Sequence, residues 1–215
     1  MLRFMPMSFY SKVSEKASMG VVAADQVIGD FPEYASTKDT PKCNGICTGG
    51  CGRTCTTTGR KYDSLVGYSK DRAVVKESNL LCTPGDPYNG KLNVLMHEFA
   101  HAIHLVALGT DFRWHRLLDE SYLTWGERWG TGYATSDQKE FFAEATTSYF
   151  RTSTLGPEAA EMNLCGDPRN NTICPDEFSS RENLKTKDPT LFRLVDHLYS
   201  GGRTFLQGRI GICDW

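Results

Sequence analysis

The strongest hydrophobic pattern in the sequence lies between residues 91 and 108. Apolar side chains recur there at intervals of three and four residues, which is the period of one face of an α-helix. Gly109 follows, and glycine commonly ends helices. The segment therefore predicts an amphipathic helix with an apolar stripe formed by Leu92, Leu95, Met96, Phe99, Ile103 and Val106.

Further helices are predicted in the C-terminal half of the chain. One covers residues 111–124, and another covers residues 136–150, where Thr135 and Gln138 have the spacing of a capping box. The last helix covers residues 188–199, because its Asp-Pro start has the residue types preferred at an N-cap and in a first turn.

The remaining segments read as strands, turns and loops. Residues 19–28 and 72–81 are short β-type runs, and proline and glycine at residues 83–90 indicate a turn. A short helix is expected at residues 158–163, followed by a polar loop that contains cysteines and reaches about residue 187.

Composition and charge are those of an ordinary globular protein. The chain has 215 residues, of which 40% are hydrophobic and 23% are charged. Its net charge of −2 argues against a nucleic-acid partner, and no apolar run approaches the roughly 20 residues that span a bilayer. Neither a repeat nor a clear linker is present, so we predict a single domain over residues 1–215 that is monomeric.

The cysteines indicate an oxidising compartment, because eight is an even number and dense for this length. Four of them recur at every fourth position in residues 43–55, a loop too rich in glycine and threonine to build a core. That spacing differs from the paired pattern of structural zinc sites, so disulfides are favoured over a second metal site. Their pairing is left open for Cys43, Cys47, Cys51, Cys55, Cys82, Cys165, Cys174 and Cys213.

Secretion is the expected destination, and a glycosylation sequon at residues 170–172 agrees with it. Residues 1–16, however, lack the apolar core of a signal peptide. Three explanations stay open: the chain is a fragment of a longer precursor, it is exported by another route, or its cysteines are not bridged. We prefer the first.

The central chemical feature is the run HEFAH at residues 97–101. His97 and His101 are four residues apart, so on a helix their imidazoles lie on one face and can bind one zinc ion. Glu98 lies beside them, within reach of a metal-bound water. A metzincin would have glycine and histidine where this chain has His104 and Ala107, so that class is excluded.

A catalytic zinc ion needs a third protein ligand, and the next helix offers two candidates. Glu140 and Glu144 are four residues apart on one face of the helix predicted for residues 136–150. One of them can bind the metal, and the other can accept a hydrogen bond from a ligand imidazole.

In this order, HEFAH, Tyr133 and the run EFFAEA resemble the metallopeptidase domain of anthrax toxin lethal factor and its relatives, which include the clostridial Pro-Pro endopeptidases. The resemblance covers roughly residues 90–152, the expected catalytic core. It implies that Glu140 is the zinc ligand, that Glu144 supports the site, and that Tyr133 points into the active site and stabilises the reaction intermediate. The cysteine-rich segment and the C-terminal cysteines depart from this family.

The fold expected from these features is α+β and zincin-like, with a small antiparallel sheet over the HExxH helix and a mainly helical C-terminal half that carries Glu140. The expected function is that of a gluzincin, a zinc endopeptidase acting on peptide or protein substrates. Zinc lowers the pKa of its bound water and polarises the carbonyl, while Glu98 takes the water's proton and later delivers it to the leaving amine. Tyr133 would donate a hydrogen bond to the developing oxyanion.

Two other functions stay open: a catalytically inactive extracellular binding module, and a zinc hydrolase of substrates other than peptides. His104 is predicted to be a cleft-lining or a hydrogen-bonded structural residue rather than an additional ligand, and His115 and His197 are predicted to be surface residues. Trp114, Trp125 and Trp129 either line a substrate groove or pack in the core.

Overall fold

The structure is a computed structural model of the chain. It describes residue 2 and residues 5–70, 72–109, 111–125, 129, 132–155, 161–166 and 172–200. In chain order the elements are α1 (Met7–Lys16), β1 (Met19–Val22), β2 (Gly67–Ser69), β3 (Ala73–Lys76), α2 (Glu77–Leu80), α3 (Val94–Ile103), α4 (Phe112–Trp125), α5 (Gln138–Tyr149), α6 (Glu177–Lys187) and α7 (Pro189–Ser200).

The strands of the described residues form one small sheet in the order β1-β3-β2. β1 runs parallel to β3, with Met19 opposite Ala73, whereas β2 runs antiparallel to β3, with Gly67 opposite Val75. The predicted α+β class is confirmed, but the sheet is mixed rather than antiparallel. A parallel pair needs a long crossover, and residues 23–72 between β1 and β3 supply it.

The core fixes α3 relative to the sheet on one side and to α5 on the other. Phe99 and Ile103 of α3 are buried in the main hydrophobic cluster together with Phe141 and Phe142 of α5. Each such side chain contributes about 1.5–3 kcal/mol when it is fully buried. This packing therefore holds the two helices that carry the predicted metal ligands in one relative position.

The predicted strand at residues 72–81 is only half strand, because β3 gives way to α2 at Glu77. Within α2 the side chain of Asn79 is buried, and its oxygen accepts a hydrogen bond from the Val94 amide at 2.9 Å. Its nitrogen donates to Asp86 Oδ1 at 3.1 Å. This buried polar network ties α2 to the first residue of α3.

The helix predicted at residues 136–150 exists, but its predicted capping box is wrong. Asp137 caps α5, accepting hydrogen bonds from the amides of Lys139 at 2.7 Å and Glu140 at 3.0 Å. Thr135 instead donates its hydroxyl to the Gly132 carbonyl in the preceding turn. An aspartate competes well for this role because its charged oxygen also favours the positive end of the helix.

The polar loop predicted up to residue 187 is also wrong in part, since α6 occupies its C-terminal end. Asp176 caps this helix by accepting from the Ser179 amide at 2.7 Å. Only Ser180 and Leu184 of the helix are buried, so its hydrophobic pattern is too weak to see in the sequence. The last predicted helix is confirmed as α7, capped by Asp188.

Disulfides are confirmed where the structure describes the cysteines. Cys43 pairs with Cys51 and Cys47 with Cys55, so the two bridges interleave across the cysteine-rich segment. Cys165 and Cys174 close a third loop. No described cysteine is free, and Cys213 and the sequon asparagines lie outside the described residues. Such cross-links are typical of proteins that fold in oxidising compartments.

The two tryptophans whose side chains are described belong to the core. Trp114 and Trp129 are both buried in the main hydrophobic cluster, so they do not line a groove. The side chain of Trp125 is outside the described part of the chain. No helix within the described residues combines the length and apolar character needed to cross a membrane.

Candidate active site

Helix α3 presents the two histidines of the HEFAH run on one face. Asn93 caps the helix by accepting a hydrogen bond from the Met96 amide at 3.1 Å. One turn further on, His97 and His101 stack edge to face, with ring centroids 4.8 Å apart. Their Nε2 atoms are 3.1 Å apart, so both imidazoles converge on one point.

Helix α5 brings Glu140 to the same point. Its Oε2 lies 3.0 Å from His97 Nε2 and 3.3 Å from His101 Nε2. Burial opposes ionisation of Glu140, but hydrogen bonds to His101 and His97 outweigh it and hold the pKa of the carboxyl below its usual range. The carboxylate is therefore charged and aimed between the two rings.

This donor set fits a tetrahedral metal ion. The three ligand atoms lie within 4.8 Å of one another, which makes His97, His101 and Glu140 a group able to bind a metal. Ligands at about 2.0–2.1 Å from a tetrahedral zinc ion are about 3.3 Å apart, close to the separations found here. Two imidazoles and one carboxylate are the ligand types of a catalytic zinc site with an open fourth position.

The electrostatic field at the cluster also favours a cation. Burial of His97 opposes its protonation, but the carboxylates of Glu140 and Glu144 outweigh that effect and raise the pKa of the imidazole. Glu144 is almost fully buried, and its Oε1 lies 3.0 Å from His97 Nδ1. The hydroxyl of Thr147 donates to the other oxygen of Glu144 at 3.3 Å.

Glu98 occupies the gap between α3 and β2. A Cβ placed on Gly67 would lie 2.7 Å from Glu98 Cγ and 3.0 Å from Glu98 Oε1, so strand and carboxylate are in direct contact. Burial raises the pKa of Glu98, although His97 and His101 act in the opposite direction. The side chain is thus a partly buried carboxylate next to the metal-binding group.

Tyr133 stands at the rim of the same cluster. Its ring centroid is 5.9 Å from that of His97, and the residue as a whole is 48% exposed. Burial of the hydroxyl raises its pKa, and the nearby charge of Glu140 adds to this. The phenol therefore remains protonated at neutral pH as a hydrogen-bond donor, and the Glu140 carboxylate is its partner here.

His104 does not join the cluster. After Ile103 the helix continues as a π-helical turn over His104–Leu108, which changes the direction in which side chains leave the axis. His104 is buried between Trp114 and Phe142, with ring centroids at 5.3 and 5.5 Å. Burial lowers the pKa of His104 to about 3, so it is a neutral core residue.

Two further residues contact this site, and neither was predicted from the sequence. Gly67 lies against Glu98, and Thr147 lies against Glu144. A glycine in a strand can mark close approach of another group, but no strand was predicted at residues 67–69, so Gly67 gave no usable signal. Thr147 gave no signal in the sequence either, because a threonine three residues after a glutamate is common on helices.

The sheet and helices of the described residues form an α+β, zincin-like fold. A solved structure with this fold is the Pro-Pro endopeptidase PPEP-2 from Paenibacillus alvei, which aligns over 92% of this chain and 86% of its own with a TM-score of 0.50. The two sequences are 19% identical, so the likeness concerns the fold. No protein-family model and no curated protein matches the chain.

Proposed function

We propose that this protein is a secreted zinc endopeptidase of the gluzincin type. The observation that carries the proposal is the convergence of His97 and His101 from α3 with Glu140 from α5. The fold shared with an endopeptidase supports the reaction class. The three disulfides that join pairs of described cysteines support an extracellular setting.

His97, His101 and Glu140 would hold the ion, which when bound supplies a Lewis acid that activates water and polarises the substrate carbonyl. Glu98 accepts the proton of the attacking water and transfers it to the leaving amine. Its partly buried position against β2 keeps the carboxylate close to the cluster and raises its basicity. Glu144 orients the ring of His97 from the far side.

Tyr133 donates its hydroxyl proton in a hydrogen bond to the oxyanion that develops on the substrate carbonyl. Its half-exposed position at the rim leaves the phenol open to an arriving peptide. Because the residue is protonated at neutral pH, this contact needs no proton transfer from the tyrosine. The hydrogen bond from Tyr133 is stronger to the negative oxygen of the transition state than to the neutral carbonyl of the substrate, so it lowers the barrier.

A peptide-library digest tests whether the chain is an enzyme. It compares the zinc-loaded parent with zinc-loaded Glu98→Gln. The library includes Pro-Pro peptides, since the solved relative of this fold is named for that bond. The parent should cleave, and the variant should lose about 100-fold or more in kcat with its zinc retained. Glu120→Gln, an exposed change on α4, serves as the matched control. Equal turnover by Glu98→Gln and the parent would sink the proposal and favour an inactive binding module.

The ligand assignment has its own test, the zinc content of Glu140→Ala. Loss of that carboxylate should abolish stoichiometric zinc after dialysis against a weak chelator, with Glu120→Ala unaffected. A Glu140→Ala protein that keeps one zinc ion per chain would remove Glu140 from the ligand set.

A further inference from the structure

Gly67 lies on the edge strand β2, next to the side chain of Glu98. An added Cβ would lie 2.7 Å from Glu98 Cγ and 3.0 Å from Glu98 Oε1. Ordinary carbon contacts begin at about 3.5 Å, so the Glu98 side chain would have to move away. The nearest atom to the added Cβ would be Cγ1 of Val94, at 2.4 Å, and Val94 lies one helical turn before Glu98 on α3.

Glycine at this position is not required by the backbone. Gly67 is absent from the positive-φ residues and pairs regularly with Val75 of β3, so an alanine fits the strand conformation itself. Glycine in a strand interior is otherwise unfavourable, because it adds backbone entropy to the unfolded chain and packs nothing. The space left by its missing side chain is filled by Glu98 and Val94.

Building on the proposed function, we propose that Gly67 is a positioning residue, whose missing side chain sets the place of the Glu98 carboxylate beside the metal-binding group. The ligands His97, His101 and Glu140 lie on α3 and α5, and an added Cβ at residue 67 has none of them among its three nearest atoms. Gly67→Ala should therefore displace the base while leaving the metal in place. A displacement of about 1 Å at a reacting group can cost about 100-fold in rate.

The same sheet offers a matched control in Gly20 of β1. A Cβ on Gly20 would lie 2.6 Å from Phe31 Cε1 and 3.1 Å from Arg72 Cδ, which is crowding of the same severity away from the site. Gly20→Ala therefore tests the general effect of filling a crowded strand glycine. A double variant, Gly67→Ala with Val94→Ala, separates the two clashes. It removes the clash of the new methyl group with Val94 and keeps its clash with Glu98.

The experiment measures kcat, KM, zinc content and melting temperature for zinc-loaded parent, Gly67→Ala, Gly20→Ala, Val94→Ala and the Gly67→Ala/Val94→Ala double variant. For Gly67→Ala and for the double variant we expect kcat to fall about 10- to 100-fold, with KM changed less than threefold and one zinc ion retained. Gly20→Ala and Val94→Ala should keep kcat within about threefold of the parent. If Gly67→Ala does not fold, we attribute the defect to the clash between the new methyl group and Val94. The double variant lacks that clash, so its kcat then tests the proposal.

A double variant with parental kcat overturns the proposal, and so does one that fails to fold or loses its zinc. A crystal structure of Gly67→Ala supplies a readout that needs no activity. Glu98 Cγ should move away from β2 by roughly 0.5–1 Å relative to the parent and to Gly20→Ala. If no peptide is cleaved by the parent, the proposed function fails, while this displacement still decides whether Gly67 places Glu98.

Discussion

Glu144 Oε1 lies 3.0 Å from Nδ1 of His97, while the Nε2 of the same ring lies 3.0 Å from Glu140. The imidazole is thus held between two carboxylates of one helix. When a metal ion occupies Nε2, the ring keeps one proton on Nδ1, where the Glu144 carboxylate can accept it in a hydrogen bond. The spacing of four residues between the two glutamates on α5 produces this arrangement.

Glu144→Gln should weaken zinc binding without abolishing it. The amide keeps the shape of the side chain but removes the charge that favours the Nδ1 proton. Loss of such a supporting carboxylate typically costs about 10- to 100-fold in metal affinity. Competition with a chromogenic chelator measures the dissociation constant, with the exposed Glu182→Gln on α6 as the control. An unchanged affinity would show that His97 needs no support from Glu144.

Tyr133→Phe should lower kcat and leave KM nearly unchanged, because the phenol is proposed to act only on the developing oxyanion. The loss of one such donor costs about 100- to 1,000-fold in kcat. Steady-state kinetics on the best library peptide measure it, and Tyr10→Phe, a partly exposed change on α1, is the control. If KM rises while kcat stays the same, Tyr133 binds substrate instead.

The metal-binding group could be predicted from the sequence because its geometry is local. The spacing of His97 and His101 on α3 fixes their common face, and the spacing on α5 does the same for the glutamates. Which carboxylate would bind the metal required the family resemblance. The meeting of the two helices depends on core packing between distant parts of the chain, and no local spacing encodes it.

The contact of Gly67 with Glu98 and the parallel pairing of β1 with β3 were not predicted for the same reason. Both join segments that are far apart in sequence. The π-helical turn after Ile103 was not predicted either, because residues up to Leu108 continue the apolar stripe of α3. The spacing of apolar residues indicates a helix, but it does not distinguish an α-helical turn from a π-helical turn, which contains one more residue.

His104 should make the protein sensitive to acid. Its folded pKa of about 3 lies below the unfolded value of about 6.5, so the unfolded chain binds the proton more readily. The stability contributed by the neutral ring is therefore complete above pH 6.5 and is lost as the pH falls from there towards 3. Proton linkage limits this loss in the free energy of unfolding to about 1.4 kcal/mol per pH unit.

His104→Phe removes this titration and keeps an aromatic ring beside Trp114 and Phe142. Urea unfolding of the metal-free protein between pH 7 and pH 4 should show a shallower loss of stability for the variant than for the parent. His197→Gln, an exposed change on α7, should follow the parent. Parallel pH profiles for parent and His104→Phe would contradict the assignment of a neutral buried histidine.

Lys61 should stabilise the cysteine-rich segment independently of its disulfides. Its ammonium group donates to Asp39 at 2.8 Å, to the Ile46 carbonyl at 2.8 Å and to the Thr54 hydroxyl at 2.7 Å. The carbonyl of Cys43 also lies within hydrogen-bond distance, so the three N–H bonds of the ammonium group are shared among four oxygens and the loop surrounds one largely buried cation. The Lys61 ammonium group therefore links several parts of this loop, as a structural metal ion does in loops too small to build a core.

Lys61→Met keeps the length of the side chain but removes its charge and its hydrogen bonds to these four oxygens. The melting temperature should fall by roughly 3–10 °C with all disulfides intact, because hydrogen bonds to charged groups are among the stronger ones. Calorimetry measures this, with the exposed Lys42→Met as the control. An unchanged melting temperature, with Lys61→Met equal to Lys42→Met, would show that the two interleaved bridges alone hold the segment.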